Sequence, residues 1–309
     1  MNNKIKKKLK TGEIMISDGA WGTMLQEKGL EMDECPELWN ITHREEVLGV
    51  AKNYIFAGAQ MVETNSFGGS SIKLGSFGLE KRAYELNKAA AEISREAAGR
   101  ENFVLGSVGP TGKLLVTEEV TEEGLYDTFS EQIIALRDGG VDAICIETFY
   151  DLAEAKCAID AVKKNTDLEI ICTFTFDKQI DGSYRTMMGV SPLEMVRFLS
   201  DNNVDIVGTN CGNGFSGMVD IVKEIRNADS DIPIIVQANA GLPEIVGGKT
   251  IYNETPDIIA LKIPKLVDAG ANCIGGCCGT TPAHISRIVE ELRRNNNRDY
   301  LKEEKNVTV

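Results

Sequence analysis

The sequence has 309 residues, of which 42% are hydrophobic and 6% aromatic, and its formal net charge is -14. This composition is that of a globular chain with a buried core and excludes a disordered or fibrous protein. The acidic balance, with a pI near 4.8, repels phosphate backbones and anionic lipid, so neither nucleic acid nor a membrane surface is an expected partner.

The cellular compartment of the protein determines whether its cysteines form disulfides or stay reduced. The sequence contains no apolar stretch of about 18 residues, and its lysine-rich N-terminus lacks the apolar core of a secretory signal. We therefore expect a cytoplasmic protein whose eight cysteines are thiols or metal ligands and not disulfides. Five of them lie in apolar or isolated contexts and are interpreted as small hydrophobes: Cys35, Cys145, Cys157, Cys172 and Cys273.

Short apolar runs rich in β-branched residues alternate with amphipathic stretches, which is typical of parallel strands joined by crossover helices. The predicted strands are residues 14–17, 60–64, 103–108, 142–147, 169–174, 206–210, 234–238 and 272–275. The predicted helices are residues 45–57, 81–98, 122–138, 152–164, 193–199, 216–226, 256–268 and 283–294. Eight such pairs without a long linker predict an α/β fold, a single-domain (β/α)8 TIM barrel.

The barrel is expected to occupy residues 13–295, between a basic N-terminal tail (1–12) and a polar C-terminal tail (296–309). The lysine run at residues 4–10 is interpreted as a solvated end that frays and not as a binding patch. In a barrel of this kind the functional groups lie at the C-terminal ends of the strands, where the βα loops form one mouth. Glycine-rich and polar segments follow most of the predicted strands, so distant segments are expected to converge on one cavity.

Three cysteines follow predicted strands: Cys211 follows the sixth, and Cys277 and Cys278 follow the eighth. Three thiolates can hold one tetrahedral zinc ion and leave its fourth position open, as in a catalytic site. Packed thiols, or a redox pair formed by Cys277 and Cys278, are the alternatives that the spacing leaves open. Zinc with three thiolates is a poor activator of water but a good carrier of a further thiolate, which favours sulfur alkylation over hydrolysis.

Two acidic residues, Asp18 and Glu147, end apolar strands and are therefore placed to meet an ammonium group at the mouth. For Asp18 the alternative is an Asx-type turn that holds the following glycines. The turn at residues 19–22 offers backbone N–H groups that suit a carboxylate. Both histidines, His43 and His284, lie outside any carboxylate motif and are interpreted as structural. These features predict a site that holds an amino acid by its two charged ends.

The segments at the predicted strand ends resemble the homocysteine S-methyltransferase family, in particular the homocysteine-binding domain of cobalamin-dependent methionine synthases. The resemblance covers about residues 14–293, and its most specific segment is Gly-Gly-Cys-Cys-Gly-Thr-Thr-Pro at residues 275–282. The other segments are Asp-Gly-Ala-Trp-Gly-Thr (18–23), Glu-Thr-Asn-Ser-Phe-Gly (63–68), Gly-Pro-Thr-Gly (109–112), Asn-Cys (210–211) and Asn-Ala-Gly (239–241).

This resemblance implies a (β/α)8 barrel with one zinc ion on Cys211, Cys277 and Cys278, and homocysteine as the methyl acceptor. It also implies that Asn239 occupies the open position on zinc when substrate is absent. The expected activity is that of a homocysteine S-methyltransferase. It transfers a methyl group from an external donor to the thiol of homocysteine and gives methionine.

The same resemblance assigns roles to the residues that would hold the substrate. It implies that Glu147 contacts the amine of homocysteine, beside the ammonium contact that the strand end already suggested for Asp18. It implies that the turn formed by Ala20, Trp21 and Gly22 receives the carboxylate. The acceptor would then lie with its thiol directed at the metal.

Two departures from the family's pattern lie near the expected approach of a methyl donor. Ala238 stands where the family usually has proline, and Met-Met-Gly-Val-Ser-Pro at residues 187–192 replaces a more polar loop. The chain has no room for folate or cobalamin domains, so cobalamin is expected only indirectly, on a partner protein. The expected donor is a methylated corrinoid protein. The alternatives are S-methylmethionine or a betaine as donor, another thiol as acceptor, or a non-catalytic homocysteine-binding subunit of a corrinoid complex.

Overall fold

The computed structural model describes residues 4–247 and 249–306. Its central sheet contains eight parallel strands, which are β1 (Met15–Ile16), β2 (Met61–Glu63), β3 (Phe103–Val108), β4 (Ala143–Phe149), β5 (Glu169–Phe174), β6 (Ile206–Gly214), β7 (Ile234–Asn239) and β8 (Cys273–Gly276). Their order in the sheet is β1-β8-β7-β6-β5-β4-β3-β2, the order of neighbours around a (β/α)8 barrel. The predicted TIM barrel and its eight strands are confirmed.

Helices connect the strands and cover the barrel. They are α1 (Lys4–Leu9), α2 (Gly22–Glu27), α3 (Trp39–Thr42), α4 (Arg44–Phe56), α5 (Ser71–Leu74), α6 (Ala83–Ala98), α7 (Glu122–Asp138), α8 (Leu152–Asn165), α9 (Pro192–Asp201), α10 (Phe215–Ala228), α11 (Pro256–Ala260), α12 (Ile263–Ala269) and α13 (Pro282–Asn306). The predicted helix 256–268 is divided in two, because Pro264 lacks an N–H and disfavours a helical residue before it.

Short elements lie between these helices and strands. The described residues form four 3-10 helices, at Pro36–Leu38, Gly75–Phe77, Glu80–Arg82 and Leu115–Thr117. Two antiparallel hairpins follow β5 and β7, formed by Asp177–Lys178 with Tyr184–Arg185 and by Pro243–Val246 with Lys249–Tyr252. Both hairpins come after the C-terminal ends of barrel strands and therefore lie on the mouth side of the barrel.

The barrel closes between β1 and β2 along a line that we call the β1–β2 seam. There the N–H of Gln60 donates to the carbonyl of Ile16 at 2.8 Å. The N–H of Ile16 in turn donates to the side-chain oxygen of Gln60 at 3.1 Å, and the N–H of Glu63 donates to the Asp18 carboxylate at 2.8 Å. Side-chain acceptors therefore replace part of the backbone ladder in this seam.

The interior of the barrel changes from apolar to polar along the strands. Residues two apart on a strand share one side, and the lower interior layer is apolar: Met15, Met61, Leu105, Cys145, Ile171, Ile235 and Cys273. Two positions further along the same strands the buried residues are Ser17, Glu63, Ser107, Glu147, Thr173, Gln237 and Gly275. We call this second set the polar layer. It lies toward the C-terminal strand ends and forms the floor of the mouth.

Helix α1 closes the opposite end of the barrel. Ile5 and Leu9 are buried in the apolar layer, and the carboxylate of Glu169 accepts hydrogen bonds from the N–H groups of Ile5 (2.9 Å) and Lys6 (2.8 Å). The interpretation of residues 4–10 as a frayed, solvated end is therefore wrong for Lys4–Leu9. Two apolar residues four apart share one helix face, and this spacing outweighs the lysines between them.

At the other terminus α13 continues to Asn306, so the backbone is helical where the sequence predicted a polar tail from residue 296. Residues 307–309 of that predicted tail lie outside the described residues. The proposed limits of the barrel domain at residues 13 and 295 stay predictions. Within the described parts of the chain, every helix is too short or too polar to cross a membrane.

Candidate functional site

Three thiols lie together at the mouth of the barrel. The Sγ atoms of Cys211, Cys277 and Cys278 are all within 4.8 Å of one another, and those of Cys277 and Cys278 are 4.0 Å apart. Zinc–sulfur bonds of about 2.3 Å at tetrahedral angles place two ligand sulfurs about 3.8 Å apart. The spacing of the thiols therefore fits three ligands of one tetrahedral metal ion.

Cys211 reaches this group because β6 is irregular beyond Asn210. The pairing of β6 with β7 shifts register between Asn210 and Gly214, and Cys211 has a left-handed φ of 55°. A bulge of this kind redirects a side chain, and a left-handed backbone costs about 1–3 kcal/mol in a residue other than glycine. The sequence predicted that the strand ends at Asn210, so the bulge was not foreseen.

Glycines on both sides of the Cys277–Cys278 pair shape its loop. A Cβ at Gly276 would lie 2.0 Å from Thr280 Oγ1, which leaves no space for a side chain. Gly279 has a left-handed φ of 77°, a conformation that favours glycine. The two adjacent cysteines can therefore face one centre.

Backbone hydrogen bonds hold this loop to β7. The N–H of Cys277 donates to the carbonyl of Ala238 at 2.7 Å, and the N–H of Ala240 donates to the carbonyl of Cys278 at 3.0 Å. Asn239 lies between these two anchors. Its Oδ1 is buried and has no hydrogen-bond partner among the described residues, although Asn239 is not among the residues that line the cavity beside the thiols.

Hydrogen bonding within the thiol group divides its protons unevenly. Hydrogen bonds from Cys211 and Cys277, and then from Tyr252, lower the pKa of the Cys278 thiol to about 3. Donation to Cys211 and Cys278 raises the pKa of Cys277 well above its ordinary value. This sharing favours the thiolate form of Cys278, which is the form in which cysteine binds metal. Tyr252, at the end of the second hairpin, was not predicted to take part in the site.

The five other cysteines differ from this group, because all of them are buried. Burial raises the pKa of Cys35 to about 12 and that of Cys157 to about 11. It also raises the pKa values of Cys145, Cys172 and Cys273. These side chains stay protonated at neutral pH, which supports their interpretation as small hydrophobes.

The contacts of both histidines support the structural roles that the sequence suggested. The Nδ1 of His284 accepts from the N–H of Thr281 at 3.0 Å, so Nε2 carries the proton and donates to the carbonyl of Glu254 at 2.9 Å. Burial lowers the pKa of His284, which keeps the ring neutral. His43 is exposed and stacks on Trp39 with ring centroids 4.1 Å apart.

A cavity of about 310 Å³ opens beside the three thiols. Its acidic lining residues are Glu37, Glu63 and Glu147, and among the described residues no lysine, arginine or histidine lines it. Much of the remaining lining comes from the three cysteines, from residues 19–23 at the start of α2 and from residues 64–67 after β2. The cavity therefore suits a small ligand that carries a positive charge. A second group of that ligand could reach the three thiols.

Glu147 lies on β4 in the polar layer, at the floor of the cavity. It is buried, and its carboxylate accepts hydrogen bonds from the hydroxyl of Ser107 and from Asn210 Nδ2, the latter at 3.3 Å. The pairing of β4 with β5 shifts register at this point, and Thr148 has a left-handed φ of 62°. Burial raises the pKa of Glu147 to about 7. Near neutral pH its charge therefore depends on what binds beside it.

Two further residues of the cavity floor were not predicted, Glu63 and Gln237. Gln237 Nε2 donates to Glu63 Oε1 at 2.7 Å. Burial, then the nearby carboxylates of Glu147 and Asp18, raise the pKa of Glu63 well above its ordinary value. The signal in the sequence was the alternation of the strands, since Glu63 and Gln237 each follow an apolar interior residue by two positions.

Asp18 is buried but is not among the residues that line the cavity. Its carboxylate accepts hydrogen bonds from Trp21 Nε1 (2.9 Å), from the N–H of Glu63 (2.8 Å) and from Ser17 Oγ (3.1 Å). Burial raises its pKa to about 6. These contacts favour the alternative in which Asp18 holds the local turn, and a direct contact with substrate stays a prediction.

The predicted carboxylate-binding turn lines the cavity through Ala20, Trp21 and Gly22. The N–H of Ala20 already donates to the carbonyl of Thr280 at 3.1 Å. Helix α2 begins after Trp21 without a side-chain cap, and the N–H groups in the first turn of a helix have no partner within it. The donors that this segment offers to the cavity are therefore those at the start of α2.

The comparisons of the sequence agree with this geometry. The model of the homocysteine S-methyltransferase family matches residues 15–292. The methionine synthase of Mycobacterium tuberculosis is 31% identical over 301 residues, which cover 89% of this chain and 24% of that protein. The methionine synthase of Mycobacterium leprae is 29% identical over 321 residues, which cover 96% and 26%. The chain thus spans about a quarter of the length of these relatives.

The fold is similar to that of a solved enzyme from Escherichia coli. The crystal structure of the homocysteine methyltransferase MmuM in its metallated form matches with a TM-score of 0.73 and 24% identity, over 89% of this chain and 95% of that one. Its apo form matches with a TM-score of 0.70. The family model extends from β1 into α13 and includes all three clustered cysteines. The chain therefore belongs to the homocysteine S-methyltransferase family.

Proposed function

We propose that this protein transfers a methyl group from an external donor to the thiol of homocysteine, giving methionine, in a zinc-dependent reaction. The observation that carries the proposal is a single cavity that joins three closely spaced thiols to a floor of carboxylates. Homocysteine has a thiol, an ammonium and a carboxylate. The cavity offers a complementary group for each of them.

Cys211, Cys277 and Cys278 would hold the zinc ion. Their spacing supports this assignment, and so does the unpartnered Oδ1 of Asn239 between the two backbone anchors of the cysteine loop. A donor set of three thiolates suits a soft or borderline metal such as zinc. Bound zinc lowers the pKa of a coordinated thiol below its free value of about 8.5, which supplies a thiolate nucleophile at neutral pH.

The protein would orient homocysteine by its two charged ends. Glu147 lines the cavity floor and has a carboxylate that can accept from an ammonium group. The uncapped start of α2, next to Trp21 and Gly22, offers N–H groups to the carboxylate of the substrate. Ala20 would shape this turn through its bond to Thr280, and Asp18 would hold Trp21 in place. With both ends fixed, the thiol is directed to Cys211, Cys277 and Cys278.

The donor that we favour is a methylated corrinoid protein, so cobalamin would act only on a partner. Large apolar side chains that are more than half exposed lie on the mouth side of the barrel: Met32, Val116, Ile180, Met187, Leu242 and Ile245. Exposed apolar groups around a cavity favour a protein surface as partner. The methionine synthases to which the chain is similar are about four times its length, which leaves room in them for such a donor module.

A small cationic donor, such as S-methylmethionine or a betaine, is the second candidate. It is favoured by the carboxylates that line the cavity without any basic side chain among the described residues. Two other functions are alternatives: methylation of another thiol, and a non-catalytic role in which the protein only binds homocysteine. The assays below distinguish both from methyl transfer to homocysteine.

The donor is tested with purified, zinc-loaded protein and homocysteine, with methionine measured directly. Free methylcobalamin, S-methylmethionine, glycine betaine and a methylated corrinoid protein are supplied in turn. We expect the fastest saturable methionine formation from the corrinoid protein. Equal or faster turnover with a small cationic donor would instead make this a self-sufficient enzyme, and homocysteine binding without turnover from any donor would favour the non-catalytic subunit.

The metal assignment is tested by elemental analysis of the purified protein, which should contain about one zinc per chain. Replacing Cys211 by Ser or Cys277 by Ala should remove most of this zinc and abolish methyl transfer. The matched control is Cys157→Ala, a buried thiol outside the group, which should keep its zinc. An unchanged zinc content and an unchanged rate of methyl transfer in the Cys277→Ala variant would contradict the proposed set of ligands.

A further inference from the structure

The floor of the cavity contains a buried glutamine with a free oxygen. Gln237 is 2% exposed and lines the cavity. Its Nε2 donates to Glu63 Oε1 at 2.7 Å and to Ser17 Oγ at 3.3 Å. Its Oε1 is buried and has no hydrogen-bond partner among the described residues. A buried amide oxygen without a partner is unfavourable and points to a ligand that supplies the missing donor.

The orientation of this amide is determined by its neighbours. Gln237 Nε2 donates to Ser17 Oγ, and the Ser17 hydroxyl already donates to Asp18 Oδ1. Turning the amide around would therefore place its oxygen against a hydroxyl oxygen that has no proton left to donate. Glu63 is itself held at its backbone, because its N–H donates to Asp18 Oδ2 and its carbonyl accepts from Ser94 Oγ at 2.8 Å. The free oxygen of Gln237 therefore has a defined position.

The ligand group that fits this oxygen must carry several N–H donors. Gln237 on β7 and Glu147 on β4 belong to the same polar layer and line the same cavity, as does Glu63 on β2. Among the described residues, no basic side chain lines the cavity to neutralise these acceptors. A primary ammonium has three donors and a positive charge, so it can bond an amide oxygen and a carboxylate together.

We propose that Gln237 Oε1 and the Glu147 carboxylate together bind the ammonium group of the acceptor, and that Glu63 is a positioning residue that orients Gln237. The inference rests on the proposed function and deepens it. It assigns two residues to substrate recognition and makes the site specific for thiols that carry an α-amino group. A thiol of the same length without this group would leave the oxygen of Gln237 unpartnered.

The test compares two thiols that differ only at the amine. Homocysteine and 4-mercaptobutanoate, in which hydrogen replaces the ammonium, are titrated calorimetrically into zinc-loaded protein. Gln237→Met removes the amide, whereas Gln237→Glu keeps an acceptor oxygen. The matched control is Gln132→Met, a second buried glutamine with a free Oε1 that is not part of the lining. Zinc content and circular dichroism are measured for every variant.

We expect Gln237→Met to weaken homocysteine binding about 10- to 100-fold, the range for a hydrogen bond to a charged group. Its affinity for 4-mercaptobutanoate should stay that of the unchanged protein, and Gln237→Glu should recover part of the loss. Gln132→Met should alter neither affinity. Glu63→Gln, which can still accept from Gln237, should bind homocysteine better than Glu63→Leu.

Two results would contradict the inference in different ways. Equal losses for both thiols in Gln237→Met, or no loss for either, would show that the glutamine does not contact the ammonium and would overturn the inference alone. Failure of the unchanged zinc-loaded protein to bind homocysteine would overturn the proposed function, and this inference with it. Equal losses in Glu63→Gln and Glu63→Leu would show that an acceptor at this position does not orient Gln237 and would overturn the positioning role of Glu63.

Discussion

At the scale of single residues, burial gives the acidic side chains of the site properties that they lack in water. Glu147 is held in the polar layer by Ser107 and Asn210, and burial raises its pKa to about 7. A protonated carboxyl attracts an ammonium group much less than a carboxylate does. The negative charge of Glu147 is therefore present above about pH 7 and is lost as the pH falls below it.

This shift predicts the pH dependence of substrate binding. The affinity of zinc-loaded protein for homocysteine should rise from pH 6 to pH 8, because Glu147 must release a proton to pair with the ammonium. Below pH 7 this release contributes up to about tenfold per pH unit. Binding of 4-mercaptobutanoate, measured by calorimetry at the same pH values, should rise less steeply, because only its thiol loses a proton.

The control for this prediction is Glu147→Gln, in which the two thiols should show parallel pH profiles. This variant should also bind homocysteine more weakly by about 1.5–3 kcal/mol, the range for a charge-assisted hydrogen bond. Its zinc content should not change. Loss of zinc or of the fold in Glu147→Gln would assign the residue a structural role.

The sequence predicted some of these residues and not others for a physical reason. Cys211, Cys277 and Cys278 could be predicted because thiols beside glycines at strand ends are rare and chemically specific. Glu63 and Gln237 could not be distinguished from ordinary polar residues at strand ends without the barrel geometry. Their burial and mutual contact arise from long-range packing, which a single sequence does not state.

At the scale of elements, the strands were predictable and their irregularities were not. Apolar runs located all eight strands, since each must be buried on both faces. The bulges that carry Thr148 and Cys211 into left-handed conformations depend on how neighbouring strands pair, and neither residue type announces such a backbone. The helix α1 was missed because its lysines concealed two apolar residues on one face.

The burial of α1 predicts that the N-terminal segment is needed for stability. Ile5→Ala should lower the free energy of unfolding by about 2–5 kcal/mol, because it leaves a cavity in the apolar layer. The measurement is urea denaturation followed by circular dichroism. Lys7→Ala, at an exposed position of the same helix, is the matched control and should change the stability little.

The same substitution separates the two ends of the barrel. Because the apolar layer lies between α1 and the thiols, Ile5→Ala should keep its zinc content and its affinity for homocysteine. A variant that unfolds at the same urea concentration as the unchanged protein would show that α1 does not contribute to the core.

At the scale of the whole molecule, exposed apolar side chains are unevenly placed around the mouth. Ile180 and Met187 belong to the segment after β5 and extend into solvent, whereas the net charge of -14 keeps the surface as a whole polar. This arrangement is typical of a surface that contacts a partner transiently. It is consistent with the proposal that the donor is carried by a protein, because a small donor would need only the cavity.

The proposed contact with a partner protein is tested by replacing exposed apolar residues after β5 with aspartate. The double variant Ile180→Asp and Met187→Asp should slow methyl transfer from a methylated corrinoid protein at least about tenfold, the effect expected from disrupting an apolar contact. Transfer from free methylcobalamin should not change. Steady-state rates of methionine formation with each donor provide the measurement.

The matched control for this test is Phe56→Asp. Phe56 is also an exposed apolar residue, but it ends α4 on the face opposite the mouth. This variant should use both donors normally. Equal rates with the corrinoid protein in the double variant and in the unchanged protein would exclude Ile180 and Met187 from a docking surface.

The β1–β2 seam is a place where local opening of the barrel requires only a few hydrogen bonds to break. Along this line the closure depends on a few bonds, and two of its acceptors are the side chains of Gln60 and Asp18. The same Asp18 also holds Trp21, and Glu63 pairs across the seam while lining the cavity. We therefore expect local opening of the barrel at this seam and occupancy of the cavity to be linked equilibria, so that a ligand bound in the cavity also stabilises the closed barrel.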